Sequence, residues 1–557
     1  MGRGAGSGDT MTMFERKRAP GPDRKMPARG ALRRWLCGFG RDESGVMIAF
    51  SIFFLLIILM VAGIGVDLMR FEMTRTRLQA TLDRAVLAAA DMQQPRDPAE
   101  VVQDYLETAG LHDVTLDTPN VSSGTNFRMV DASASIPMRT QFMHMLGVSE
   151  LSAPALAGAE ERIDGIEIAL VLDISNSMNW NDRLINLRPA ARDFIDTVMA
   201  LAEPGHVAVS IIPYNTQVNA GAALLRHYDV STEHDYSHCV DFEAADFNST
   251  SLSPTAPLQR TGHFDYFTYA SGTWPPAAGD MPMPVCPTRA GSDITVFETD
   301  PAAARDKIDA LTAYGNTSID IGMKWAMTLL DPGTRGVISD MIADGDVHPD
   351  NFGRPVDYDE PDVLKVIVVM TDGQNTTQYM LPADRRDGPS DIWYHPASDT
   401  VSVYMPRSGP DYFWLSDEAW HDAPRGNHTA DPDEAIRLSY PELWAFRSVA
   451  QNARYQYGPA YSANGSSLGA AWSDWYSTLP ETLSGAQKDT RLQNACGTAK
   501  SSDVMIYAIG FEATANGNDQ LRNCASSPSH FFDADGVDIS DAFQAIAASI
   551  AQLRLTQ

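Results

Sequence analysis

Three oxygen-bearing side chains follow an apolar segment in the sequence IALVLDISNS, residues 168–177. Asp173, Ser175 and Ser177 alternate along the chain directly after it. An ionised carboxylate is costly inside a buried strand, so we expect the strand to end at Asp173 and this side chain to emerge at its carboxyl end. One carboxylate with two hydroxyls could cap the following helix or could ligate a hard cation.

Two further polar groups are expected at the same edge. The most apolar segment, VLKVIVVMTDG at 363–373, ends in Asp372, and YGNTSIDIG at 314–322 puts Thr317 before a predicted helix. The carboxyl ends of parallel strands meet at one edge of an open sheet. Oxygen ligands of low total charge suit Mg²⁺ or Mn²⁺. The predicted ligands are therefore Asp173, Ser175, Ser177, Thr317 and Asp372, with Ser318 as the alternative to Thr317.

This combination resembles the metal-ion-dependent adhesion site of von Willebrand factor A domains. The D-x-S-x-S motif of that family is matched by 173–177, its threonine by Thr317 and its T-D-G aspartate by Asp372. The resemblance implies a divalent cation with one coordination position open to an acidic residue of a partner. Taken singly, Ser175 or Ser177 could cap a helix and Asp372 could close a turn.

Catalysis is not expected at this edge. An aspartate-based phosphatase needs a second acid two residues after its nucleophile, and position 175 is Ser. The sequence also contains no recognisable His or Cys motif that would activate a serine. We therefore predict a protein that is not an enzyme.

The elements that must position these groups alternate along the second part of the chain. Strands are predicted at 166–173, 206–215, 363–373, 504–512 and 530–535, and helices at 183–202, 300–315, 318–330 and 539–553. Apolar strands alternating with helices predict an α/β fold with a doubly wound, mostly parallel sheet. This von Willebrand factor A-like domain is placed at 164–557, with insertions at about 220–297, 332–361 and 376–485.

Two features of the insertions have competing explanations. Six of the ten Trp lie within 376–485, and a separate core for that insertion is favoured over an aromatic ligand-binding surface. The acidic stretch 344–362 lacks the Gly and the spaced Glu of an EF-hand loop, so we interpret it as a solvated loop.

Charge and hydropathy divide the first part of the chain. The net charge is −30, yet residues 1–41 hold ten Lys/Arg against three Asp/Glu, and we expect them to form a basic cytoplasmic tail. The acidic remainder argues against nucleic-acid binding. Residues 45–66 carry no charge over 22 positions, about 33 Å of helix, which predicts a transmembrane helix rather than a cleaved signal peptide. An amphipathic helical stalk at 67–92 and a small α/β membrane-proximal domain at 93–160 are expected to follow.

Basic residues and cysteines indicate how the predicted transmembrane helix is oriented in the membrane. More Lys/Arg precede the span than follow it, which places the N-terminus in the cytoplasm. Cys37 is then alone inside, and four cysteines lie outside, an even number that suits two disulfides in an oxidising compartment. Three pairings are possible; we favour Cys239–Cys286 and Cys496–Cys524, with four reduced thiols as the alternative.

Both ends of the chain resemble TadE/TadG-like proteins of tight-adherence (Tad/Flp) pilus assembly. The matching segments are RDESGVMIAF…LAAA at 41–90 and CGTAKSSDVM…QLRLT at 496–556, with its two cysteines. The resemblance implies a single-pass protein of the bacterial inner membrane with a periplasmic C-terminal domain, which assists the assembly or anchoring of Flp-type pili.

The implied partners are pilus-assembly or pilin proteins, bound through an acidic residue. The alternative is a cell-surface adhesin that binds host or matrix ligands through the same site. Pilins carry a Glu five residues after the cleaved Gly, but Phe50 occupies that position after Gly45. We therefore expect the span to remain as an anchor.

Overall fold

The computed structural model describes nine stretches of the chain, which are 44–91, 94, 96–111, 113–123, 127–162, 165–201, 205–360, 363–426 and 434–554. The basic tail predicted at 1–41 and Cys37 lie outside the described residues. The chain divides into two compact units, one of Met1–Val121 with Met129–Ala159 and the other of Ser122–Arg128 with Glu160–Gln557. Each unit is described by itself.

One helix dominates the first unit. Helix α1, Ser44–Ala90, runs for 47 residues and is followed by α2, Pro98–Thr108. The sheet of this unit comprises β1 Thr115–Leu116, β2 Asn120–Ser123, β3 Phe127–Arg139 and β4 Glu150–Arg162, with β3 paired to β1, β2 and β4. The second half of α1 buries residues spaced three or four apart, as an amphipathic helix requires. These are Leu78, Leu82, Val86 and Ala89, which form a core with α2 and β3.

The first half of α1 has a different surface. Helix Val46–Ala90 is long and apolar enough to cross a membrane, with a mean hydropathy of 2.9 over its most apolar 18 residues. Only 6% of that window is buried, so the apolar side chains face outward rather than into a protein core. This exposure is typical of a membrane anchor.

The second unit is built on a six-stranded mixed sheet. Its strands are β5 Gly165–Asp173, β6 Val207–Tyr214, β7 Thr295–Glu298, β8 Val363–Thr371, β9 Met505–Phe511 and β10 Phe531–Ala534. The order is β10-β9-β8-β5-β6-β7, and every pair is parallel except β6 with β7. The predicted doubly wound, mostly parallel α/β sheet is confirmed. Edge strand β7 was not predicted and comes from the end of the segment 220–297.

Helices cover both faces of this sheet. They are α3 Arg183–Met199, α4 Pro301–Asp309, α5 Ile319–Leu330, α6 Arg335–Asp344, α7 Gly485–Ser501, α8 Ala515–Cys524 and α9 Ile539–Arg554. One core packs α3, α4 and α9 against the sheet, and the other packs α5, α6, α7 and α8. Strands β5 and β8 are buried along their whole length, which explains their continuous apolar sequences.

The helix predicted over 300–315 is too long. It ends at Asp309, and the residues after it are drawn to the carboxyl edge of the sheet. Tyr314 N–H donates to the carbonyl of Ile174 at 2.9 Å, and the Asn215 amide donates to the carbonyl of Tyr314 at 2.9 Å. These bonds replace a continued helix.

The segment 376–485 contains a second, five-stranded sheet. Its order is Ala419–His421, Tyr412–Trp414, Thr400–Tyr404, Pro389–His395 and Ile436–Ser439. Short helices complete it at Ala383–Arg386, Tyr440–Phe446, Val449–Gln451, Gly458–Ala463 and Leu468–Trp472. Trp444 and Trp475 are buried in its core, which also includes Phe264 and Val285 from the segment 220–297. Part of the segment 220–297 therefore shares the core of the segment 376–485, whereas Val240 and Phe247 are buried in the core of the main sheet.

Other short elements of these two segments lie outside this core or at its edge. The helix Gly221–Leu225 and the paired strands Val240–Asp241 and Gln259–Arg260 belong to the segment 220–297. Strands Gln378–Met380 and Glu481–Leu483 pair where the segment 376–485 leaves and rejoins the main unit. Disulfides join Cys239 to Cys286 and Cys496 to Cys524, so the favoured pairing is confirmed.

Candidate metal site

Asp173 stands at the carboxyl end of β5 and is fully buried. Its Oδ1 accepts the backbone N–H of Ser175 at 2.7 Å, and its Oδ2 accepts the Thr371 hydroxyl at 2.6 Å. The Tyr214 hydroxyl, from the end of β6, lies 3.4 Å from the same Oδ2. These are neutral donors, which hold the carboxylate in place without cancelling its charge.

A chain of hydroxyls connects the two predicted carboxylate ligands. Ser175 Oγ lies 3.0 Å from Ser177 Oγ, and the Ser177 hydroxyl donates to Asp372 Oδ1 at 2.7 Å. Ser175 precedes the 3₁₀ turn Asn176–Asn179 without making a side-chain cap bond to it. Four of the five predicted groups thus form one hydrogen-bonded series from β5 to β8.

The loop that carries Thr317 lies between the other two. The Asn176 N–H donates to the carbonyl of Gly315 at 3.0 Å, and the Thr376 N–H donates to the carbonyl of Thr317 at 3.1 Å. Thr317 is 4% exposed. The loop before α5 is therefore bonded both to the loop after β5 and to the loop after β8.

Ser318, the alternative to Thr317, is occupied elsewhere. Its hydroxyl donates to the carbonyl of Thr216 at 2.7 Å and accepts a hydrogen bond from the buried Lys488 ammonium. Lys488 also donates to the carbonyl of Thr317 at 2.7 Å. Because the Lys488 ammonium is bonded to the Ser318 oxygen and would repel a cation there, Ser318 is the less suitable of the two candidate ligands.

The two carboxylates strongly affect each other. Burial, followed by repulsion from Asp372, raises the pKa of Asp173 to about 7, although hydrogen bonds from Thr371 and Ser175 oppose the shift. Burial also raises the pKa of Asp372, against hydrogen bonds from Ser177 and Arg183. Two acids that resist carrying two negative charges, among neutral hydroxyls, suit a divalent cation. The donor set fits Mg²⁺ or Mn²⁺.

Arg183, the first residue of α3, was missed by the sequence analysis. Its Nη1 donates to Asp372 Oδ2 at 2.8 Å and its Nε donates to Glu512 Oε2 at 3.0 Å. Glu512 follows β9 at the same edge of the sheet. It could therefore have been predicted as Asp173 was, from its position at the carboxyl end of a parallel strand. No sequence signal pointed to Arg183. Its guanidinium occupies one oxygen of Asp372 and would compete with a cation for it.

The backbone around this ion pair is strained. Asn181, Asp182 and Glu512 have φ angles of 53°, 57° and 51°. Asn and Asp tolerate the left-handed region, but Glu does so less readily. The Asn181 amide donates to Glu512 Oε2 at 3.0 Å and helps to hold the arrangement. Strain of this kind persists only where surrounding contacts enforce it, and it is frequent at functional sites.

The second unit is an α/β unit with carboxylates and hydroxyls grouped at the carboxyl ends of its central strands. The same chain also contains a helix long and apolar enough to cross a membrane. Residues 45–92 match the family model described as "Tad: Putative Flp pilus-assembly TadE/G-like". The TadE/G-like segment recognised in the sequence is thereby confirmed. No curated protein sequence matches the chain.

Several solved structures are similar to the chain at low identity. The von Willebrand factor domain of the type V pili tip protein Mfa5 from Porphyromonas gingivalis has 15% identity and a TM-score of 0.30, over 70% of this chain and 95% of that one. The pilus adhesin RrgA from Streptococcus pneumoniae has 12% identity and a TM-score of 0.30, over 78% and 49%. The adhesive tip pilin GBS104 from Group B Streptococcus agalactiae has 10% identity and a TM-score of 0.28, over 78% and 68%. The fold assignment rests on the strand order and pairing.

Proposed function

We propose that this protein is a membrane-anchored, non-enzymatic component of pilus assembly or anchoring that binds partner proteins in a cation-dependent manner. Mg²⁺ or Mn²⁺ would be held by Asp173, Ser175, Ser177, Thr317 and Asp372. An acidic residue of a pilus-assembly protein or pilin would complete the coordination. The N-terminus would lie in the cytoplasm, α1 in the bacterial inner membrane and the second unit in the periplasm.

The observation that carries the proposal is the facing pair Asp173 and Asp372. They come from the ends of neighbouring strands β5 and β8 and are joined through two serine hydroxyls. Arg183 contacts the second of them, but its charge is shared with Glu512. A divalent cation would neutralise the two carboxylates, and its open coordination position, rather than a net charge, would attract a partner carboxylate.

Binding rather than catalysis suits this donor set. The hydroxyls of Ser175 and Ser177 bond to each other and to Asp372, so within the described part of the chain neither is paired with a histidine or lysine that could remove its proton. A cation here would supply an electrostatic anchor for an incoming carboxylate. Such a contact can form and dissociate during assembly.

Calorimetric titration of Mn²⁺ and Mg²⁺ into the full chain in detergent tests the ion site. Saturable binding is expected in the parent and in Asp241→Asn, and no binding is expected in Asp173→Asn. Asp241 is the matched control because it is also an aspartate with a raised pKa, about 6, caused chiefly by burial, and it lies outside the site. No binding by a folded parent would overturn the ion site.

Capture of pilus proteins tests the partner. Membranes from cells that assemble pili would be solubilised and the chain retrieved in Mg²⁺ or in EDTA. Cation-dependent recovery of pilins or assembly proteins, lost in Asp173→Asn, is expected. Exposure of the second unit on intact cells would instead support the surface adhesin.

A further inference from the structure

The turn between β3 and β4 has an apolar surface. The 3₁₀ turn Met143–Leu146 lies at its centre, and we call residues 142–148 the apolar tip. Its exposed large side chains are Phe142 at 38%, Met145 at 67%, Leu146 at 50% and Val148 at 37%. So many exposed apolar groups within seven residues are unfavourable in water and mark a contact surface.

The tip is fastened to α1 by a buried carboxylate. Asp67, with no exposed surface, accepts backbone N–H groups from Gln141 at 2.9 Å, Phe142 at 2.7 Å and Met143 at 2.8 Å. A β-carbon added to Gly63 would lie 2.5 Å from Cγ of Phe142, so the ring packs where only glycine leaves space. These contacts fix the height of the tip along the helix.

That height coincides with the end of the apolar span. Asp67 is the first charged residue after the uncharged run 45–66. Gly63 lies four residues earlier, about 6 Å deeper along the helix axis. A helix that buries 45–66 in a bilayer would therefore bring Phe142 and its neighbours to the border between headgroups and acyl chains.

We propose that the apolar tip inserts into the leaflet at the carboxyl end of the span, where lipid acyl chains cover Phe142, Met145 and Leu146. Continuity with the apolar surface of α1 identifies lipid as the occupant. The first unit would then contact the membrane at two places, the helix and the tip. Rotation of this unit about the axis of α1 would be restricted by the second contact.

Depth-dependent quenching in nanodiscs tests this insertion. The full chain with Cys37→Ser would carry Met145→Cys or, separately, Leu146→Cys, labelled with the fluorophore NBD and reconstituted with and without brominated lipids. The matched control is Leu156→Cys, another exposed apolar residue of the same unit. The Leu156 carbonyl accepts from Gln79 at 2.7 Å, and Gln79 is about 18 Å beyond Asp67 along the helix. Ile58→Cys reports on the span itself.

Insertion predicts blue-shifted emission and strong bromine quenching at positions 58, 145 and 146, with neither effect at 156. Equal emission and quenching at 145, 146 and 156 would overturn the proposal. Blue-shifted emission without quenching at 145 and 146 would also overturn it, because a protein partner rather than lipid would then cover the tip. Absence of quenching at 58 would overturn it as well, because the tip inserts only if α1 spans the bilayer.

Discussion

Two buried aspartates of this protein follow apolar segments, and their surroundings differ. Asp67 ends the apolar run of α1 and accepts three backbone N–H groups from one turn. Asp173 ends the apolar strand β5, accepts one backbone N–H and two hydroxyls, and faces a second carboxylate. The first carboxylate is committed to holding a loop, whereas ionisation of the second is opposed by burial and by the neighbouring carboxylate. A buried acid thus indicates binding only when its own fold leaves it incompletely neutralised.

Replacing Asp67 by Ala should give the largest structural effect. The change leaves the backbone N–H groups of Gln141, Phe142 and Met143 without their acceptor, so the turn before β4 loses local stability. Hydrogen exchange in nanodiscs should accelerate at Gln141, Phe142 and Met143 and stay unchanged in the second unit. Asp67→Asn, which keeps one acceptor oxygen, should show an intermediate effect. Unaltered exchange in the Ala variant would contradict a structural role.

The pH dependence of stability should distinguish Asp173. Its pKa is about 7 in the folded protein against an ordinary 3.8, so the folded state holds a proton that the unfolded chain has released between these values. Without metal, the contribution of Asp173 to stability is therefore fully present below pH 4 and is lost as pH rises through 7, by about 4 kcal/mol at most. Denaturant unfolding should show this slope in the parent, and Mn²⁺ at pH 8 should restore stability.

Asp173→Asn is the matched test of that slope. Since the amide does not titrate, the part of the pH dependence that comes from this group should vanish, together with the stabilisation by Mn²⁺. A slope that survives in the variant would assign the effect to other acids.

Removal of Arg183 should strengthen cation binding. Arg183→Met takes away a positive charge 2.8 Å from Asp372 and keeps much of the side-chain volume. We expect affinity for Mn²⁺ to rise roughly tenfold, about 1.4 kcal/mol, since like charges near one carboxylate repel. Calorimetry measures the change, and Arg183→Lys, which keeps the charge, should bind nearly as the parent does. Weaker binding in the Met variant would mean that Arg183 supports the site.

The smallest expected effect shows which of the two neighbouring hydroxyls, Thr317 or Ser318, ligates the cation. Thr317→Ala should weaken Mn²⁺ binding up to about tenfold, the contribution of a single oxygen ligand or hydrogen bond. Ser318→Ala should leave the affinity unchanged and lower stability, because the Lys488 ammonium and the carbonyl of Thr216 each lose a buried hydrogen-bond partner. The reverse pattern would transfer the ligand assignment to Ser318.

Strand ends were the part of the candidate site that sequence could locate. Asp173 and Asp372 terminate the most apolar segments, and burial forces such segments into the centre of a sheet. Arg183 was not predicted as a site residue because its position depends on a short loop in which Asn181 and Asp182 are left-handed. The local sequence has no distinctive pattern for such a loop. Ser318 could be set apart from Thr317 only by Lys488, which is 170 residues away in the chain.

Contacts between residues distant in the sequence also limited the prediction of the fold. Alternating apolar segments predicted the central parallel strands, but the four-residue edge strand β7 has no such signature and pairs antiparallel to β6 through an irregular register. The helix after Asp300 was overextended because its later residues bond to the sheet edge, a tertiary contact that periodicity does not reveal. The role of Asp67 was likewise not predicted, because its three hydrogen-bond donors lie more than 70 residues later in the chain.

The shared core of the two insertions has a consequence for biosynthesis. Phe264 and Val285 belong to one core with Ile392 and Leu443, which are made more than a hundred residues later. At roughly 5–20 residues per second, that interval is on the order of 10 s. During it, the aromatic side chains between 266 and 274 lack the rings of Tyr379 and Phe446, against which they pack in the finished fold. We therefore expect the nascent chain to need a holding chaperone before its second half arrives.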